Sequence, residues 1–104
     1  MREVTVAATQ MACTWDQARN LDNAEALVRE AKGRGAQVVL IQELFETPYF
    51  CKDQKQELFA LARPAAESPA LRHMSALAAE LEVVLPVSFF ERVNNAHYLS
   101  LIHI

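Results

Sequence analysis

Glu43 stands two residues beyond the apolar run Val38-Val39-Leu40-Ile41 and is followed by Leu44, Phe45 and, further on, Tyr49. A carboxylate just past the carboxyl end of a buried strand sits where open α/β sheets collect their ligands. Apolar neighbours in such a cleft would penalise the charged form, raise its pKa and make it a better proton acceptor near neutral pH. The pattern fits equally a glutamate that satisfies backbone donors in a loop, which is the commoner case. Cys51 invites a nucleophilic role, because thiolates attack carbonyl carbon well. No histidine flanks it, however, and Lys52 alone is a weak activator, so a structural cysteine is the better reading; Cys13 is read the same way.

The histidines are His73, His97 and His103. His97 and His103 would share one face of a strand about 20 Å apart, too far to hold one ion, so no metal site is expected. Gly33-Arg34-Gly35 follows a helical segment and precedes a strand. A dinucleotide-binding turn has the opposite order, so these glycines serve as a helix cap and turn. The lack of a phosphate-binding glycine loop weakens a reading as a small doubly wound binding domain, and no cofactor is expected.

The elements that must position Glu43 follow from periodicity. Val4 to Gln10 is β-branched and bounded by polar residues, which predicts a first strand. Thr14 and Gln17 have capping-box spacing, with Asn20 as a rival helix start. Leu21, Ala24, Leu27, Val28 and Ala31 then recur at helical spacing, opposite Arg19, Asp22, Arg29 and Lys32. Gly33 is placed to end that helix in a left-handed cap. The apolar run from Gln37 to Ile41 fits a strand covered on both faces, completing a βαβ unit with a right-handed crossover. After an irregular stretch from Glu43 to Cys51, Asp53 and Gln56 can open a short helix reaching Arg63. Ser68 can cap another, with Pro69 at its first position and Leu71, Met74, Leu77, Ala78 and Leu81 on one face. Val83 to Phe90 predicts a third strand, Asn94-Asn95 a tight turn, and Ala96 to Ile104 a fourth, antiparallel strand. The fold class is α/β, in the order βαβααββ.

The 104 residues suit one modest domain, and 52% apolar with 22% charged residues argues for a packed segment over disorder. A net charge of −3 without any basic stripe argues against nucleic-acid binding. The apolar runs are far shorter than a membrane span, and no signal-peptide core opens the chain. Two cysteines make no disulfide framework, so a cytoplasmic setting is expected. No internal repeat, linker or low-complexity segment interrupts residues 1–104.

Three segments together resemble the nitrilase superfamily of carbon–nitrogen hydrolases. Val4-Thr5-Val6-Ala7-Ala8-Thr9-Gln10-Met11 looks like its opening strand, and Gly35 to Phe45 like its second strand and catalytic-glutamate loop. Ser88-Phe89-Phe90-Glu91-Arg92 with Asn95-Ala96-His97-Tyr98 looks like its next hairpin. The stretch Glu43-Leu44-Phe45-Glu46-Thr47-Pro48-Tyr49-Phe50-Cys51 is most similar to the polyamine-pathway branch, the N-carbamoylputrescine amidases. The resemblance implies the N-terminal part of an α-β-β-α sandwich and a Glu-Lys-Cys site acting on a small amide or ureido substrate. It implies Glu43 as general base, Tyr49 as a pocket residue, and a homo-oligomer when full length. The family's lysine and cysteine fall beyond residue 104, so Lys52, Lys55 and Cys51 do not fill those roles and the chain alone is expected to be inactive. Leu99 stands where the family usually has asparagine, and the ending through Ile104 matches it poorly; an incomplete gene model is the expectation.

Overall fold

The computed structural model describes residues 2–50 and 56–104. The alternating N-terminal segment and the apolar run predicted as a second strand pair in parallel, as Val6–Ala8 (β1) and Val38–Leu40 (β2), with Val6 opposite Val38 and Ala8 opposite Leu40. Both strands are shorter than their sequence patterns. The pairing nonetheless extends past their ends, because Thr5 accepts from the Gln37 amide at 2.8 Å and the Thr9 amide donates to Leu40 at 2.9 Å.

Between them runs Gln17–Gly33 (α1). Its cap is Asp16, whose carboxylate accepts from the Arg19 amide at 3.2 Å, and not Thr14 as the spacing predicted. The Thr14 hydroxyl instead accepts from the Asp16 amide at 3.2 Å, a turn that delivers the aspartate to the helix end. The rival start, Asn20, lies inside the helix and is fully buried. The C-terminus also departs from expectation. Helical geometry continues through Gly33, and Gly35 is the glycine with positive φ, at +96°. The Ala36 amide donates back to Ala31 and the Gly35 amide to Lys32, the paired bonds of a Schellman ending.

The second helix follows its sequence signals closely. Pro69–Leu81 (α2) starts with the Ser68 hydroxyl accepting from the Leu71 amide at 3.2 Å, and proline holds the first position. It ends at Glu82 in left-handed geometry, φ 55°, a cap that a glutamate side chain does not announce. Before it, Gln56–Leu61 forms a 3-10 turn where a short helix from Asp53 was expected; Asp53 itself lies outside the described residues. Across the outer surface of the two helices, Arg29 pairs with both Glu25 and Glu80, and His73 meets Glu25 at 2.6 Å. Solvent screens such pairs, so they orient the helices more than they stabilise them.

Pro86–Val93 (β3) and Ala96–His103 (β4) form the antiparallel hairpin, turning at Asn94 with φ 55°. β3 begins later than the predicted Val83 because the residues before it serve other neighbours. Val84 exchanges backbone bonds with Gln37 and Val39 at 2.9 and 3.0 Å, and Leu85 does so with Ile104 at 2.9 and 2.7 Å. One segment therefore joins the parallel ladder to the hairpin.

Both helices pack on one side of these strands. Leu21, Ala24 and Val28 of α1 and Leu71, Met74 and Leu77 of α2 bury against Val39, Leu85, Val87 and Phe89. Residues paired across a sheet share a face, so Val6, Val38, Ala8 and Leu40 lie together on the side away from the helices. There Val6 is 69% and Leu40 46% exposed. The expectation that β2 is covered on both faces is thus corrected: within the described residues only one face is covered.

Candidate functional site

β2 aims the chain out of the sheet at Ile41, which is buried, and the next residues form a loop pinned at four points. The Gln42 side chain accepts from the Met11 amide at 2.7 Å. The Leu44 amide donates to the Ser88 hydroxyl of β3 at 2.7 Å. The Cys13 thiol donates to the Phe45 carbonyl at 3.1 Å, and the Asn20 side-chain amide donates to the Glu46 carbonyl at 2.6 Å. Leu44 is buried and has φ 51°, a left-handed conformation that costs a side-chain-bearing residue roughly 1–2 kcal/mol. Such strain persists only where surrounding contacts over-determine the backbone, as they do here.

Glu43 lies between the first two anchors. It is exposed, so the desolvated cleft expected from its apolar neighbours is not formed by these residues; the uncovered sheet face accounts for that. It is nevertheless beside a cavity, lining an open cleft of about 440 Å³ with Leu40, Ile41, Ser88, Leu99 and Leu101. That volume is within the range of small-molecule sites. Three of the lining residues, Leu99, Ser100 and Leu101, belong to the divergent end of the chain. Tyr49 is 49% exposed and is outside the residues lining this cleft.

Glu46 was not singled out by the sequence, yet it is half-buried, beside a water-sized void of about 20 Å³ lined by Leu44, Phe50, Leu61 and Phe90. Burial pushes its carboxyl above the usual range, and the Arg63 charge partly opposes this. A carboxyl whose folded pKa is raised holds its proton longer in the folded state, so stability falls as pH rises from the ordinary carboxylate range through the folded value. Glu46→Gln is therefore expected to match the parent in acidic buffer and to melt higher at neutral pH; equal melting temperatures at both would refute the burial argument.

Cys13 is half-buried, and burial pushes its thiol up, away from thiolate. Its role in the structure is the Phe45 anchor, with the Gln42 side-chain amide donating to its sulfur at 3.3 Å. Cys51, Lys52 and Lys55 lie outside the described residues. His97 stacks on Phe59 with ring centres 4.8 Å apart, and His73 faces Glu25. Among the described residues no three His, Cys, Asp or Glu side chains gather to hold a metal ion, and no helix is long and apolar enough to cross a membrane.

Residues 5–104 match the carbon–nitrogen hydrolase family model. The chain belongs to the carbon–nitrogen hydrolase family. It is 57% identical to the N-carbamoylputrescine amidase of Solanum tuberosum over 95% of its own length and 33% of that protein. It is 39% identical to the citrullinase of Francisella tularensis subsp. tularensis, over 97% of this chain and 35% of that one. Among solved structures, the carbon–nitrogen hydrolase from Helicobacter pylori G27 superposes with a TM-score of 0.85 at 24% identity, covering 96% of this chain and 35% of the other. At that identity the superposition shows the fold, which is the nitrilase-superfamily fold read as an N-terminal part of the α-β-β-α sandwich. This carbon–nitrogen hydrolase chain spans about a third of the length of the curated relatives it matches.

Proposed function

We propose that the full-length protein carrying these residues is an N-carbamoylputrescine amidase, converting N-carbamoylputrescine and water to putrescine, ammonia and carbon dioxide. The observation that carries this reading is the 57% identity to a plant enzyme of that name across 95% of the chain. In support of this reading, Glu43 lies at the rim of the cleft between anchored neighbours, and a carboxylate is suited to act as a general base. In this reading it takes the proton of a cysteine thiol supplied by polypeptide beyond residue 104, and the thiolate attacks the ureido carbonyl. A lysine from the same later segment faces the oxygen that becomes negative. The proton leaves with ammonia, and water then hydrolyses the thiocarbamate to a carbamic acid that loses carbon dioxide. No cofactor takes part. Residues 1–104 are then the N-terminal portion of a cytoplasmic, homo-oligomeric enzyme, the open sheet face packing against the second sheet of the sandwich. Tyr49 flanks the pocket in the completed protein.

The citrullinase likeness favours one neighbouring reading, because citrulline carries the same terminal ureido group on a charged aliphatic chain. Purified full-length protein offered each substrate separates the two. The expected result is putrescine and ammonia from N-carbamoylputrescine, with a far lower kcat/KM on citrulline. Preference for citrulline, or for a simple aliphatic amide, would overturn the substrate assignment. The 104-residue chain in the same assay is expected to release only background ammonia, since two catalytic roles have no residue in it.

A further inference from the structure

Ser88 is buried in β3, and its neighbours Val87 and Phe89 are buried as well. Alternation along a strand sends Val87 and Phe89 to the helix side and Ser88 to the other, where apolar side chains are otherwise left exposed. A small hydroxyl there meets the Glu43 loop: its oxygen accepts from the Leu44 amide at 2.7 Å. The peptide joining Glu43 to Leu44 is planar, so fixing the Leu44 N–H fixes the plane on the carboxyl side of the Glu43 α-carbon. On its amino side the neighbouring residue Gln42 is tethered by its side chain, which accepts from the Met11 amide. Leu44 keeps its left-handed φ of 51° between these restraints.

We infer that Ser88 is a positioning residue for Glu43: its hydroxyl holds the kink at Leu44 that sets the carboxylate at the rim of the cleft. Ser88 touches neither substrate nor reacting atoms in this role; it acts through the backbone. The inference rests on Glu43 being the general base, and a misplaced base loses rate more than binding. In the full-length enzyme, Ser88→Ala is expected to lower kcat about 10-fold with KM changed less than about twofold, since small misplacements of catalytic groups are costly. Ser88→Thr, which keeps the accepting oxygen, is expected to retain most of kcat.

The deciding experiment is a cycle with Glu43→Gln, read by single-endpoint putrescine assays. If Ser88 acts only through Glu43, Ser88→Ala in the Glu43→Gln background changes the residual turnover by less than about twofold. An equal 10-fold loss in both backgrounds would mean a general structural role and overturn the inference. So would an unchanged kcat in Ser88→Ala while Glu43→Gln is crippled, and in that case the base assignment still stands. If Glu43→Gln itself turns over normally, the base assignment fails first and this inference with it. Should Ser88→Ala not accumulate as folded protein, Ser88→Cys, whose sulfur is a weak acceptor, runs the same cycle.

Discussion

Glu43→Gln in the full-length enzyme is expected to lower turnover by ~10²–10⁴-fold while leaving the protein folded. Glutamine preserves the length and shape of the side chain, and Glu43 is exposed, so its packing contribution is small. The backbone bonds that hold the loop belong to residues on either side and do not use the Glu43 carboxylate. What the substitution removes is proton-accepting capacity at the edge of the 440 Å³ cleft. Rates measured under saturating substrate, beside a melting curve for each variant, decide the matter. Near-normal turnover would remove Glu43 from the mechanism; loss of the melting transition would show a structural role instead.

Asn20→Ala is expected to destabilise the protein by about 2–4 kcal/mol, the range for breaking a buried hydrogen-bond network. Asn20 is fully buried and uses both ends of its amide. Its oxygen accepts from the Thr14 amide at 2.9 Å and from the Thr14 hydroxyl at 3.2 Å. Its nitrogen donates to the Thr14 and Glu46 carbonyls at 2.5 and 2.6 Å. Alanine leaves a cavity and deprives those backbone groups of their partner. Urea denaturation of the full-length protein measures the loss, and a shift under about 0.5 kcal/mol, the scale of ordinary surface substitutions, would show that water replaces the amide without cost. Past the cap, asparagine is a poor propensity choice even in the first turn of a helix, and this second end of the network, on the Glu43 loop, explains its presence at that position.

That case also shows why the chain was only partly legible. Ser68-Pro69 and the Asn94-Asn95 turn act through their immediate neighbours, and the structure has them where local chemistry puts them. The choice between Thr14 and Asp16 as a helix cap depends on a turn that Asn20 closes from six residues away. Gly35 rather than Gly33 supplies the left-handed cap of α1, because backbone bonds to the helix carbonyls continue through the Ala36 amide before the chain turns towards β2. The two-sided cover inferred for β2 came from an apolar run, and such a run does not say which residues cover each face. Glu43 could be picked out because its place after a strand is a local fact. Its anchors could not: Ser88, Cys13 and Asn20 are ordinary residues until the fold sets them against one loop. Glu46 likewise has nothing in its flanking sequence to announce the burial that the structure gives it.

The four anchors of that loop have a consequence for biosynthesis. They join residues separated by 26 to 44 positions, and the last to emerge from the ribosome is Ser88. Early in translation, β1 and α1 can organise and the Asn20 and Cys13 tethers can form, but the peptide after Glu43 still rotates freely. Loop closure of this length is slow compared with helix formation, so the kink locks only when the hairpin strand has docked. A nascent chain arrested before that point would hold the helix yet present its acidic side chain on an unsettled backbone.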